Sequence, residues 1–241
     1  MDSVKLSVAV CHTPGIASER DDLVKRLRRQ YPELTIVHDY DREGCWPTSL
    51  KATRAIYPRA THHMVVHDHA YIPNPDALMR VIEAKPESWI SPYCPRKEMR
   101  TTKGLWAKIQ GTWGTASIAP VQLWDEYRQW VTTWTMQAKT DHDDRRVVAW
   151  MKATGRGAWI PIPNVVTHTG VKSLLGHSRA RGRGSQQLIT ADSLGDEYKH
   201  DDGANAPWLS TTPTADIIKN VDPDKIKAWH RAVLEHSEIT V

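Results

Sequence analysis

Short apolar runs in the N-terminal part of the chain alternate with longer segments whose apolar residues recur every three or four positions. Residues 5–11 (KLSVAVC) alternate into a β-branched run; 34–38 (LTIVH), 62–67 (HHMVVH) and 89–93 follow, and each reads as a strand. Between them, 19–30 places Leu23, Val24 and Leu27 on one helical face behind a capping Ser18. A helix opening at Pro47 carries Leu50, Ala52 and Ile56, and residues 76–84 read as a third. The spacing then predicts a polar loop over 95–108, a strand over 113–118, an amphipathic helix over 121–134, a helix from Asp143 or Asp144 to about 153, and a strand over 158–161. Residues 164–169 are strand-like and carry His168 near their end.

Strands alternating with helices predict an α/β fold: one domain over 1–190 with a mostly parallel central sheet flanked by helices. Residues 191–241 read as a loop-rich extension whose terminal helix, 222–235, packs on the same domain. In such sheets ligands bind outside the carboxyl ends of the strands, where Cys11–Thr13, His38–Asp39 and Asp68–His69 fall.

Composition adds three constraints. The chain has no Phe but eleven Trp, so indoles must supply most aromatic packing, with some left to stack on sugars or bases. A formal charge of +4 tolerates a polyanionic partner without the excess of a dedicated nucleic-acid packager. Cys11, Cys45 and Cys94 form no CxxC pair, which points to reduced thiols. The N-terminus has no signal-peptide pattern, and no apolar stretch approaches the ~18 residues of a membrane span. The expectation is a cytoplasmic protein with no membrane partner.

Several residues are candidates for chemistry. Asp68 and His69, directly after a hydrophobic strand, pair a carboxylate with an imidazole; with His168 they make an open site suited to Mn²⁺ or Mg²⁺ when phosphates complete the shell. The plain alternative is a strand end whose Asp caps the next turn. Asp144, or else Asp143, is a candidate general base, although acidic residues also belong at helix starts for dipole reasons. Asp39 is placed to accept from a base or ribose hydroxyl or to close a turn, and Trp46 to wall a ligand or fill the core. Arg179, Arg181 and Arg183 can clamp a diphosphate or nucleic-acid backbone, or form a solvated basic loop. Walker, dinucleotide-fingerprint, zincin and nucleophile-elbow motifs are absent from the sequence, which disfavours those chemistries.

Taken in order, residues 8–13, Arg20, Asp39, 44–48, 65–69, 111–116, 143–150 and 163–173 resemble the GT-A glycosyltransferases, particularly small ones encoded by bacteriophages. The likeness spans roughly 4–190. It implies a GT-A-like domain that moves a sugar from a nucleotide-sugar donor, a UDP-sugar by preference, with inversion and with a divalent metal. Thr13, Arg20, Asp39, Trp46, Asp68 and Arg179 then contact the donor; Asp68, His69 and His168 hold metal and diphosphate; Asp144 or Asp143 is the base. The acceptor implied by phage enzymes of this kind is a hydroxymethylated pyrimidine in DNA, in the host cytoplasm, met by Arg181, Arg183, Arg100 and Lys103. The competing readings are a saccharide, lipid-linked or protein acceptor, or an inactive module that binds nucleotide or nucleic acid. One departure from the family's pattern stands out: His69 occupies the place of a second carboxylate, which alters metal preference or weakens metal dependence.

Overall fold

The computed structural model describes residues 3–94, 106–109, 111–133, 143–162 and 164–169. A seven-stranded sheet runs in the order β2 (Thr35–His38), β1 (Leu6–His12), β3 (His62–His67), β7 (Ala116–Pro120), β5 (Trp89–Ile90), β8 (Ala158–Pro161), β6 (Trp106–Ile109). The pairings β1–β2, β1–β3 and β5–β8 are parallel, whereas β3–β7, β5–β7 and β6–β8 are antiparallel. Five strands therefore share one direction, and β7 and β6 oppose them. A separate two-stranded ribbon pairs β4 (Ala70–Tyr71) with β9 (Thr167–His168).

Alternation along the strands divides the core. Val8, Val10, Met64 and Val66 face α1 (Ser18–Gln30) and α3 (Pro75–Ala84), while Ala9, Cys11 and Val65 face α2 (Cys45–Arg54), α4 (Val121–Thr133) and α5 (Asp143–Thr154). Both faces of the central strands are covered, which is why their sequences read as continuous apolar runs. The indoles do supply the packing: Trp89, Trp124 and Trp150 are buried together with Tyr127, at ring separations of 4.3–6.0 Å.

Four local expectations differ from the structure. The sheet does not run on from β3 to β5, because β7 enters antiparallel between them. The segment expected as loop closes with β6, whose Trp106 is buried and reaches within 5.7 Å of the Lys85 ammonium. Ser18 does not cap α1; Ala17 holds the extended cap position, and its carbonyl accepts from Arg20 N and Asp21 N. α2 begins at Cys45 behind Gly44 (φ 107°), so Pro47 lies inside its first turn, where a missing N–H costs no helical hydrogen bond. The expected terminal helix, the division at 190 and the segment 170–190 lie outside the described residues.

Candidate functional site

The carboxyl ends of β1, β2 and β3 stand side by side, and the segments leaving them are tied together by the backbone. Asp39 N donates to the His12 carbonyl (2.8 Å) and Asp68 N to that of Cys11 (3.1 Å). A histidine ends each strand: His12, His38 and His67.

Because successive side chains leave a strand on opposite faces, His67 and Asp68 enter different environments. Asp68 turns towards α1 and is buried. One carboxylate oxygen pairs with the Arg20 guanidinium; the other accepts from Thr13 N (3.1 Å) and faces His12 Nδ1 (2.9 Å). His12 Nε2 in turn lies 3.0 Å from an Asp21 oxygen. Burial opposes the charge on Asp68, but His12, Arg20 and Thr13 N outweigh it and hold the carboxyl below its ordinary range. The β4–β9 ribbon sets Ala70 opposite His168, which brings the His168 ring to 4.5 Å from that of His69. Burial, with His67, His168 and Arg20 nearby, pushes His69 well below the usual imidazole value; His168 is lowered by burial and by Arg20.

His67 turns the other way, towards α2 and α5. Its Nε2 lies 3.0 Å from Asp143 Oδ2, which also accepts from Ser49 Oγ at 2.8 Å. Asp143 Oδ1 accepts from Asp144 N (2.8 Å) and meets the Cys45 thiol (3.5 Å). Burial disfavours both charges. Asp143 nevertheless holds His67 above the ordinary imidazole value, and His67 with Ser49 holds Asp143 below the carboxyl one. A small cleft adjoins this pair, lined by His67, Asp143, Asp144, Thr112, Ser117 and Tyr127 among others. The His67 and His69 rings, 5.5 Å apart, join the two clusters across the sheet edge.

The structure thus gathers Thr13, Arg20, Asp39, Asp68, His69 and His168 at one edge. Asp39, however, spends both oxygens on Glu43 N (2.7 Å) and Gly44 N (3.2 Å), closing the loop before α2. Trp46 is half-buried against the α2–α5 side with the Arg146 guanidinium 4.3 Å above its ring. Asp143 and Asp144 begin α5; the first is committed to His67 and Ser49, the second lines the pocket. Arg100, Lys103, Arg179, Arg181 and Arg183 lie outside the described residues.

The sequence reading passed over His12, Cys45, Ser49 and His67. A histidine ending each of the first three strands was the available signal for His12 and His67. Nothing local marks Cys45 or Ser49, whose roles arise from the packing of α2 against α5.

The carboxylate–imidazole set at Asp68 fits Mn²⁺ or Mg²⁺ in part. His69 and His168 are adjacent, but Asp68 is engaged by Arg20, and His69 Nδ1 is 3.9 Å from it. Among the described residues, the three metal-capable side chains whose ligand atoms lie within 4.8 Å of one another are Cys45, His67 and Asp143.

Fold and edge together define an α/β protein with a histidine-rich crevice at the carboxyl ends of its parallel strands. No family model and no curated protein matches the sequence. Among solved structures it is similar to the mannosyltransferase PcManGT from Pyrobaculum calidifontis in complex with GDP-Man and Mn²⁺, at 15% identity over 98% of this chain and 76% of that one, TM-score 0.49. It is also similar to 4-diphosphocytidyl-2C-methyl-D-erythritol synthase from Anaerococcus prevotii (9% identity, 67% of this chain and 89% of that one, TM-score 0.42). A third is a glycosyltransferase involved in glycosylation of the major capsid of PBCV-1 (13% identity, 75% and 98%, TM-score 0.38). At these values the likeness concerns the course of the chain only.

Proposed function

We propose that the chain is a GT-A-like glycosyltransferase that moves a sugar from a nucleotide-sugar donor to a hydroxyl acceptor. The observation that carries this reading is the convergence of Thr13, Arg20, Asp39, Asp68, His69 and His168 at one carboxyl edge of the sheet. These are the positions that the ordered resemblance assigns to donor and diphosphate. Arg20 supplies a fixed cation beside Asp68, an environment in which a diphosphate leaving group is stabilised.

In this reading the acceptor hydroxyl gives its proton to Asp144, with Asp143 second, as its oxygen attacks the anomeric carbon and the nucleoside diphosphate departs with inversion. Asp143 is the weaker candidate because both its oxygens already accept hydrogen bonds. A divalent ion, Mn²⁺ or Mg²⁺, at Asp68, His69 and His168 would neutralise the departing diphosphate. The donor favoured is a UDP-sugar, and the acceptor favoured is a hydroxymethylated pyrimidine in DNA, reached by base flipping.

A panel of nucleotide sugars tests the first half, with released nucleoside diphosphate measured with and without Mn²⁺. The expected result is turnover of one donor, reduced about 10²–10⁴-fold in Asp144→Asn and lowered in its Mn²⁺-stimulated part by His168→Gln. Absence of turnover and of thermal stabilisation with every donor would overturn it. The DNA half predicts binding that weakens steeply with salt; transfer to a small saccharide alone would remove it. One observation favours a second reading, a nucleotide-binding module without catalysis: the Asp68 carboxylate is already satisfied by Arg20, His12 and Thr13 N.

A further inference from the structure

On the α2–α5 side of the sheet edge, Cys45 opens α2, His67 ends β3 and Asp143 opens α5, so three separate elements mount one cluster. Asp143 Oδ1 lies 3.5 Å from Cys45 Sγ, and Asp143 Oδ2 lies 3.0 Å from His67 Nε2. The edges of a tetrahedral shell of thiolate, imidazole and carboxylate around zinc are roughly 3.3–3.6 Å, from ordinary zinc–ligand bond lengths. The three ligand atoms lie within 4.8 Å of one another, so a closure of about an ångström converts the hydrogen-bonded cluster into a coordination shell.

The donor set selects the ion. A thiolate with an imidazole suits Zn²⁺ and is a poor match for Mg²⁺ or Mn²⁺, which prefer oxygen. Asp143 is oriented from outside the shell by Ser49 Oγ and Asp144 N, as ligating carboxylates commonly are. Gly114 permits the approach of the neighbouring turn, since a Cβ there would sit 3.0 Å from Asp143 Oδ1.

The second, independent observation is Tyr127. This side chain is 1% exposed and lines the pocket beside His67 and Asp143, and among the described residues its hydroxyl has no hydrogen-bond partner. A buried orphan hydroxyl costs free energy unless something occupies the pocket to meet it. Three protein ligands beside a polar pocket are the pattern of zinc sites that keep one position open.

We propose that Cys45, His67 and Asp143 bind one Zn²⁺ whose fourth position opens on this pocket, within reach of the Tyr127 hydroxyl. Binding releases the Cys45 thiol proton to solvent and leaves His67 neutral, with its remaining proton on Nδ1. The site lies on the other face of β3 from Asp68 and shares Asp143, and the pocket lined by Asp144, with the proposed base; metal binding is read without any nucleotide sugar.

The test uses the full chain, stripped with a chelator and titrated with Co²⁺, then with Zn²⁺ in competition with a chromophoric chelator. One Co²⁺ per chain with near-ultraviolet thiolate-to-metal absorption, displaced by Zn²⁺, is the expected result. Cys45→Ser abolishes that absorption, and Cys45→Ser and Asp143→Asn each weaken Zn²⁺ by at least about tenfold. Absence of the absorption in the wild type overturns the proposal, and so does its survival in Cys45→Ser. Unchanged Zn²⁺ affinity in either variant does the same. The wild-type spectrum decides the matter even where a variant fails to fold.

Discussion

Replacing Asp68 by Asn removes the carboxylate charge paired with the buried Arg20 guanidinium. Side-chain exposures of 4% and 5% place this pair where loss of one partner costs about 3–5 kcal/mol. Urea unfolding should show that loss, and the double change Arg20→Met with Asp68→Leu should cost less than the single one. A double cost equal to the sum of the two single costs would mean that the two side chains are not coupled. A second residue-scale expectation concerns His63, fully buried in β3 with Nε2 donating to the Ala52 carbonyl at 2.9 Å. Burial pushes its pKa down to about 4, so the folded chain holds it neutral where the unfolded chain would protonate it. Its contribution is complete above about pH 6.5 and is lost progressively as pH falls towards 4, in total about 3 kcal/mol. His63→Gln, which keeps a donor for Ala52, should flatten the stability profile over that window. A wild-type profile already flat there would contradict the assignment.

Elements carry their own tests. α3 is capped by Asn74, whose Oδ1 accepts from Ala77 N at 3.0 Å, and Pro75 pre-sets its first turn. Asn74→Ala should cost about 1 kcal/mol in chemical denaturation without altering the site, because α3 packs on the α1 side, away from α2 and α5. Gly157, just before β8, is a closer constraint: a Cβ there would lie 2.7 Å from the Ile109 carbonyl oxygen of β6. Gly157→Ala should therefore push β6 off the sheet edge and lower the melting temperature. This element boundary shows what could be read beforehand. β1, β2, β3, α3, α4 and α5 follow from apolar periodicity that any local reading finds. β6 does not, because the sequence around Trp106 is as polar as a loop. Its strand state comes from pairing with β8 and from packing of Trp106 and Trp159 at 6.4 Å.

For the whole molecule, a bound donor should stabilise the fold by mass action, about 2.7 kcal/mol at a hundredfold excess over Kd. Thermal unfolding across nucleotide sugars should therefore single out one nucleotide, and a uniform response to all would speak against a donor crevice. At this scale the sequence and the fold part company over the site. Period-2 and period-3.6 patterns decide which faces are apolar, because burial acts on each element separately. From them alone came the α/β class, the parallel β1–β2–β3 core and the position of Asp68 at a carboxyl edge. Four things depended on tertiary packing. They are the entry of β7 beside β3, the tying of Asp68 to Arg20 and His12, the ribbon that lays His168 on His69, and the meeting of Cys45, His67 and Asp143. Each is a contact between residues far apart in the chain, set by the order of strands in the sheet and by the opposite faces to which neighbouring side chains turn. No local pattern of residues encodes either of these.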